Sequence, residues 1–111
     1  MRFPSLSDGD HLEALLKRFP RGVRPLLELH DAVMREPSDL PVATRELIAA
    51  YVSGLNACTY CHGAHTVAAG NFGIDERVFN GLMDDLDSAA VDEKIKPILA
   101  YVRKLTLTPS R

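Results

Sequence analysis

Apolar residues recur at intervals of three and four along almost the whole chain, and this spacing constrains the fold more than any other feature. The first clear case is Leu12, Leu15, Leu16 and Phe19, at positions i, i+3, i+4 and i+7. Such intervals place side chains on one face of an α-helix, whereas a half-buried strand alternates apolar and polar residues. Because that alternation is almost absent, the sequence predicts an all-α fold.

Six helical segments are expected, and the breaks between them carry proline, glycine, asparagine or aspartate. Pro20 ends the first segment, and the second is followed by a turn that contains Pro37 and Pro41. The apolar stripes extend over Leu12–Phe19, Val23–Met34, Val42–Leu55, Ala57–Gly70, Val78–Met83 and Val91–Leu105.

Particular residues are expected at the ends and faces of these helices. Residues 7–10 offer capping side chains for the first helix, and Asp75 offers one for the fifth. Gly70 is the expected C-terminal glycine of the fourth helix. His30 falls on the apolar stripe of the second helix, where it is either a hydrogen-bonded core histidine or one that faces the cysteine site.

Both cysteines and two of the four histidines lie within residues 57–66. On a helix, which turns by about 100° per residue, Cys58, Cys61 and His65 share one stripe and His62 points away from it. A helix N-terminus, a nearby imidazolium and the second thiol of a Cys-x-x-Cys pair all favour the reactive thiolate. Cys61, one turn before His65, is the better activated cysteine. The motif predicts a redox dithiol.

Three other interpretations of the motif stay open. Free cysteine packs as a small hydrophobe, so the pair can be buried and inert. Residues 58–62 also match the Cys-x-x-Cys-His pattern of c-type haem attachment, which requires export, although the N-terminus shows no apolar h-region or cleavage site. Zinc needs a fourth ligand beside Cys58, Cys61 and His65. The candidates for that ligand are a carboxylate, His11, His30 and His62.

Composition excludes several function classes. The 111 residues are 46% hydrophobic with a net charge of −2, which fits one domain over residues 1–111 that is small enough to profit from oligomerisation. We expect no binding to nucleic acid or membrane, because no basic run is present and the longest apolar run, Leu47–Val52, is too short to span a bilayer. Two cysteines without a signal peptide indicate a cytoplasmic protein.

Glu46 precedes Cys58 on the third predicted helix. On one straight helix the two residues would lie about 18 Å apart along the axis and about 120° apart around it. They can act together only if the chain bends. Gly54 and Asn56 weaken the helix end, so a bend is expected near Ala57.

The order of Glu46, Cys58, Cys61 and His65 resembles the core motif of the AhpD-like alkylhydroperoxidases in the carboxymuconolactone decarboxylase superfamily. Residues 63–66, Gly-Ala-His-Thr, extend that resemblance after the second cysteine. It implies an all-helical fold with the Cys-x-x-Cys pair at the start of a central helix, and assembly into dimers, trimers or hexamers.

Two longer segments, Arg45–Asn56 and Pro97–Leu105, are similar to the branch usually called peroxidase-related proteins. The resemblance extends over roughly residues 29–111. Members of that branch usually continue with further helices past the position of Arg111. Either this chain is a truncated or natural short form, or another subunit covers the corresponding surface.

The resemblance implies a role for each motif residue. Cys61 would attack a hydroperoxide as thiolate and become a sulfenic acid, with His65 as proton acceptor. Cys58 would form the Cys58–Cys61 disulfide, which an external dithiol reduces. Glu46 would hold His65 directly or through water. Tyr60 stands where some members carry a histidine, so it is expected to pack or gate.

The function that these roles imply is that of a dithiol peroxidase in antioxidant defence. It needs neither a bound cofactor nor a metal. The decarboxylase branch of the superfamily typically lacks the dithiol, which argues against lactone chemistry. The alternatives are a non-catalytic zinc-binding domain and a general thiol–disulfide oxidoreductase.

Overall fold

A computed structural model describes residues 5–110. Within them lie five α-helices, one turn of 3₁₀ helix at Glu76–Phe79 and no strand, which confirms the predicted all-α fold. The fifth predicted helix is reduced to the 3₁₀ turn and the loop after it. The α-helices are α1 Leu12–Arg18, α2 Val23–Met34, α3 Val42–Leu55, α4 Thr59–Asn71 and α5 Lys96–Leu107.

The chain divides into two compact units, Met1–Pro37 and Ser38–Arg111. The first unit contains α1 and α2, neither of which buries a residue. Gly22, with φ of 83°, supplies the left-handed turn residue in front of α2. The second unit holds all four predicted site residues. A single domain over the whole chain stays a prediction.

Two predictions for the first unit were wrong. The side chains of residues 7–10 do not cap α1; instead Asp10 Oδ2 accepts a hydrogen bond of 2.7 Å from the Ser7 N–H and closes a local turn. His30 is not a core histidine, because α2 buries no residue. Its side chain is 45% exposed, with Nδ1 3.4 Å from Asp31 Oδ1.

The second unit is built around α3. This helix packs chiefly against α4 and also against α5. Its buried side chains include Leu47 and Tyr51, which form the core with residues from the later loop and α5. That core consists of Leu47, Tyr51, Leu82, Ala89, Val91 and Leu99.

A Schellman motif ends α3 and reverses the chain. The Ala57 N–H donates to the Gly54 carbonyl oxygen and the Cys58 N–H donates to that of Ser53, each at 2.9 Å. Ala57 takes the left-handed position, with φ of 55°, which glycine usually occupies. The predicted bend near Ala57 is therefore confirmed, and it directs α4 back along α3.

The ends of α4 and α5 differ from the prediction. The left-handed residue after α4 is Gly73, with φ of 101°, rather than Gly70, which lies inside the helix. Helix α5 begins at Lys96 rather than Val91, because Asp92 closes a turn by accepting the N–H groups of Lys94 and Ile95 at 2.9 and 2.8 Å. Among the described residues no helix is both long and apolar enough to cross a bilayer.

Candidate active site

The two cysteines lie at the N-terminus of α4 and are joined by a disulfide bond. Cys58 is the N-cap residue, and Cys61 follows in the first helical turn with a Cα–Cα distance of 5.4 Å. The Cys61 N–H donates to Cys58 Sγ at 3.3 Å. Helix N-termini carry unpaired N–H groups and a partial positive charge, so this position stabilises a thiolate when the disulfide is reduced.

Glu46 on α3 and His65 on α4 are hydrogen-bonded to each other. The Nδ1–H of His65 donates to Glu46 Oε2 at 2.7 Å. The Glu46 side chain is 1% exposed, whereas that of His65 is 28% exposed. A buried carboxylate is costly without a charged or hydrogen-bonding partner, and His65 supplies that partner to Glu46. With Nδ1 engaged, Nε2 is the ring nitrogen left to exchange a proton.

His62 also contacts α3, although it lies off the stripe of Cys61 and His65. Its Nδ1 is 2.8 Å from the carbonyl oxygen of Ala50. A carbonyl only accepts, so Nδ1 carries the proton and Nε2 holds the lone pair in the neutral ring. The ring also meets that of Phe79 edge-on, with centroids 6.4 Å apart. His62 is therefore held in one orientation by groups that do not titrate.

A cavity of about 210 Å³ lies beside Cys58. A Cβ at Gly54 would come within 2.7 Å of Met83 Sδ and 3.2 Å of His62 Nδ1, so a larger residue at this position requires the Met83 side chain to move. The cavity therefore lies where α3 and α4 approach closely. Its wall is formed by Gly54, Ala57, Cys58, Thr59, His62 and Met83.

The sequence also drew attention to His11, His30 and Tyr60. His11 and His30 belong to the first compact unit. Tyr60 is 62% exposed. Across residues 5–110, no three or more side chains of His, Cys, Asp and Glu are grouped so as to hold a metal ion.

Sequence reasoning considered His62 only for the haem and zinc alternatives and gave it no part in the redox chemistry, although a signal was present. Each cysteine is followed four residues later by a histidine: Cys58 by His62 and Cys61 by His65. Residues four apart on a helix are neighbours. Only the packing of α4 on α3 shows that His62 is hydrogen-bonded to Ala50 and that His65 is hydrogen-bonded to Glu46.

The sequence of this chain matches a known protein family. The model of the carboxymuconolactone decarboxylase family matches residues 20–103. The chain belongs to the carboxymuconolactone decarboxylase family. This match, which includes Glu46, Cys58, Cys61 and His65, confirms the resemblance on which their roles were predicted. Searches among curated proteins and among solved structures give no match.

Proposed function

We propose that this member of the carboxymuconolactone decarboxylase family is a dithiol peroxidase. The observation that supports the proposal is the hydrogen bond between Glu46 and His65, the histidine that follows Cys61 by one helical turn. A Cys-x-x-Cys pair alone occurs in many redox and metal sites. A buried carboxylate that orients a histidine beside it adds the acid–base group that peroxide reduction requires.

The oxidative step uses Cys61 as nucleophile. His65 takes the thiol proton at Nε2, and the thiolate attacks the terminal oxygen of a hydroperoxide. The O–O bond breaks, the sulfur becomes a sulfenic acid, and His65 returns the proton to the leaving alkoxide, which becomes an alcohol. Glu46 stabilises the imidazolium that exists between these two transfers.

The reductive steps use Cys58 and an external dithiol. The Cys58 sulfur displaces water from the Cys61 sulfenic acid and forms the disulfide bond that the structure contains. The external dithiol then reduces the disulfide by thiol–disulfide exchange. Over one cycle a hydroperoxide and a dithiol become an alcohol, water and an oxidised dithiol. The reducing cytosol is the compartment proposed for this cycle.

The proposal is tested by counting free thiols and bound zinc in untagged protein. A stoichiometric dose of an organic hydroperoxide should remove two thiols per chain within seconds and form the Cys58–Cys61 disulfide. Cys61→Ser should remove this fast reaction. Zinc near one atom per chain together with slow thiol loss would instead support the zinc-binding alternative.

We also propose that the protein assembles into a homo-oligomer. Helix α2 leaves Leu26, Leu27, Leu29 and Val33 at least half exposed. A chain of this length buries only about two-thirds of the surface that its unfolded form exposes. Exposed apolar faces are therefore stabilised when they pack against a second copy of the chain.

A further inference from the structure

The cavity beside Cys58 contains a second histidine that the peroxide chemistry does not use. His62 lines this cavity together with Cys58, whereas neither Glu46 nor His65 does. Among the described residues of its wall, Cys58 and His62 are the only ones that titrate. The dithiol thus has one acid–base group on the Cys61 side and a separate one on the Cys58 side.

The hydrogen bonds of His62 prepare it to accept a proton. Its Nδ1–H is bound to the Ala50 carbonyl oxygen, so a proton can be gained only at Nε2. The groups that face its ring from the neighbouring elements are the Ala50 carbonyl and Gly54 from α3, Phe79 from the 3₁₀ helix and Met83 from the loop that follows. All four are uncharged, so none of them pairs with this ring as the Glu46 carboxylate pairs with His65.

Resting on the dithiol chemistry proposed above, we propose that this cavity is the site where the external thiol attacks, with Cys58 as the attacked sulfur and His62 as the base. The incoming thiol gives its proton to His62 Nε2, and its thiolate bonds to Cys58 Sγ. The Cys58–Cys61 bond breaks and its electron pair leaves on Cys61. The second thiol of the reductant then gives its proton to the Cys61 thiolate and displaces Cys58, which takes the proton held by His62.

Leaving-group chemistry indicates which cysteine sulfur the external thiol attacks and which one it displaces. Exchange is faster when the displaced sulfur is the more stable thiolate. Cys61 lies in the first turn of α4, one helical turn before His65, whose Nδ1 is bound to Glu46. Attack on Cys58 expels the Cys61 sulfur, which has the proton carrier His65 one helical turn away, whereas attack on Cys61 would expel Cys58, whose Sγ accepts a neutral backbone N–H. The cavity is lined by Cys58 and not by Cys61, and Cys58 is the residue that this chemistry favours for attack.

The attack site is tested on the parent chain. The protein is oxidised with diamide, mixed with excess 2-mercaptoethanol, quenched in acid within milliseconds and analysed by fragment-ion mass spectrometry. We expect the mercaptoethanol adduct on Cys58. An adduct chiefly on Cys61, or divided equally, would overturn the assignment. Because no peroxide enters this experiment, its result is separate from that of the peroxidase proposal.

The base is tested with two variants and a matched control. His62→Gln retains a donor for the Ala50 carbonyl, His62→Phe retains a ring against Phe79, and His30→Gln changes an exposed histidine of the first unit. Reduction of the diamide-oxidised protein by dithiothreitol is followed from pH 6 to about pH 9.5, where free thiols are largely ionised.

At pH 7 both His62 variants should be reduced about tenfold to a hundredfold more slowly than the parent and the His30→Gln control. The rates should converge at the alkaline end, where the reductant no longer needs a base. Oxidation of the reduced variants by peroxide should keep the parent rate. A loss that is equal at every pH would show a structural role and refute the assignment, as would an unchanged rate at pH 7.

Discussion

Glu46 Oε2 and His65 Nδ1 lie 2.7 Å apart, although 19 residues separate them in the chain. The contact depends on the left-handed Ala57, which reverses the chain so that the start of α3 meets the middle of α4. A nearly fully buried carboxylate is thereby placed against a histidine whose side chain is 28% exposed.

The first prediction concerns the charge of Glu46. Glu46→Gln keeps the shape of the side chain and an oxygen that accepts the His65 Nδ1–H, but it removes the negative charge beside the ring that carries the proton. Oxidation of Cys61 by an organic hydroperoxide should slow by about ten- to a thousandfold at neutral pH. The measurement is the stopped-flow rate of sulfenic acid formation against pH.

The control for this prediction is Glu36→Gln, which changes an exposed glutamate of the first unit. Thermal unfolding of both variants should stay close to that of the parent, because the amide can still pair with the same donor. An unchanged pH profile in Glu46→Gln would mean that the carboxylate only holds the helices together.

The second prediction separates the roles of the cysteines. Serine is a good N-cap, so Cys58→Ser should keep the start of α4 and leave Cys61 as a trapped sulfenic acid after peroxide treatment. Cys61→Ser should consume peroxide no faster than a free thiol. Dimedone labelling followed by mass spectrometry distinguishes the two. Fast reaction of Cys61→Ser combined with an inert Cys58→Ser would reverse the assignment.

Helical periodicity was sufficient to predict α3, α4 and α5 but not the contacts between them. Intervals of three and four identified the shared stripe of Cys61 and His65, because both residues lie on one helix. The partners of His62 and His65 lie on α3, and no local spacing relates a residue to a helix that packs against it. For Glu46, only the family resemblance supplied that link.

The errors at helix ends have a common physical origin. Gly70 was expected to end α4, yet the left-handed residue is Gly73. Both are glycines near the end of an apolar stripe, and the choice depends on which carbonyl groups the following N–H groups can reach. At α5 the side chain of Asp92 closes a turn, and apolar spacing does not reveal such competition between side chain and helix.

The third prediction concerns Asp75 at low pH. The guanidinium of Arg77, bound at 2.9 Å through Nε and 2.6 Å through Nη2, and the Arg77 backbone N–H lower the pKa of Asp75 from 3.8 to about 2. A carboxyl whose pKa is lower in the folded state stabilises the fold above the unfolded value and loses that contribution as the pH falls through the folded value. The contribution is therefore complete above about pH 4 and lost towards pH 2.

Asp75→Asn tests this pH dependence, because asparagine can still accept the Arg77 N–H as a cap. The variant should melt below the parent at pH 7, and the difference should shrink between pH 4 and pH 2. Asp84→Asn, at an exposed aspartate of the following loop, is the comparison. A constant difference across this range would show that the charge of Asp75 does not contribute.

The fourth prediction concerns self-association through α2. Leu26 lies on the apolar stripe of this helix and is 55% exposed, whereas Ala32 is exposed outside the stripe. Light scattering of the parent at micromolar concentration should give a multiple of the chain mass. Leu26→Lys should shift the protein towards the monomer and Ala32→Lys should not. A parent that scatters as a stable monomer would refute the oligomer.

The last prediction concerns the strained turn before the cysteines. An L-residue other than glycine pays about 1–2 kcal/mol in the left-handed conformation that Ala57 adopts, while glycine pays about 0.5–1 kcal/mol in additional chain entropy. Ala57→Gly should therefore raise the free energy of unfolding by up to about 1 kcal/mol. Ala64→Gly, inside α4 and exposed, should lower it by about 1 kcal/mol through the ordinary helix penalty. Urea unfolding of the oxidised chains measures both. If both variants lose stability equally, Ala57 is not strained, and the reversal that brings Glu46 to His65 has no conformational cost.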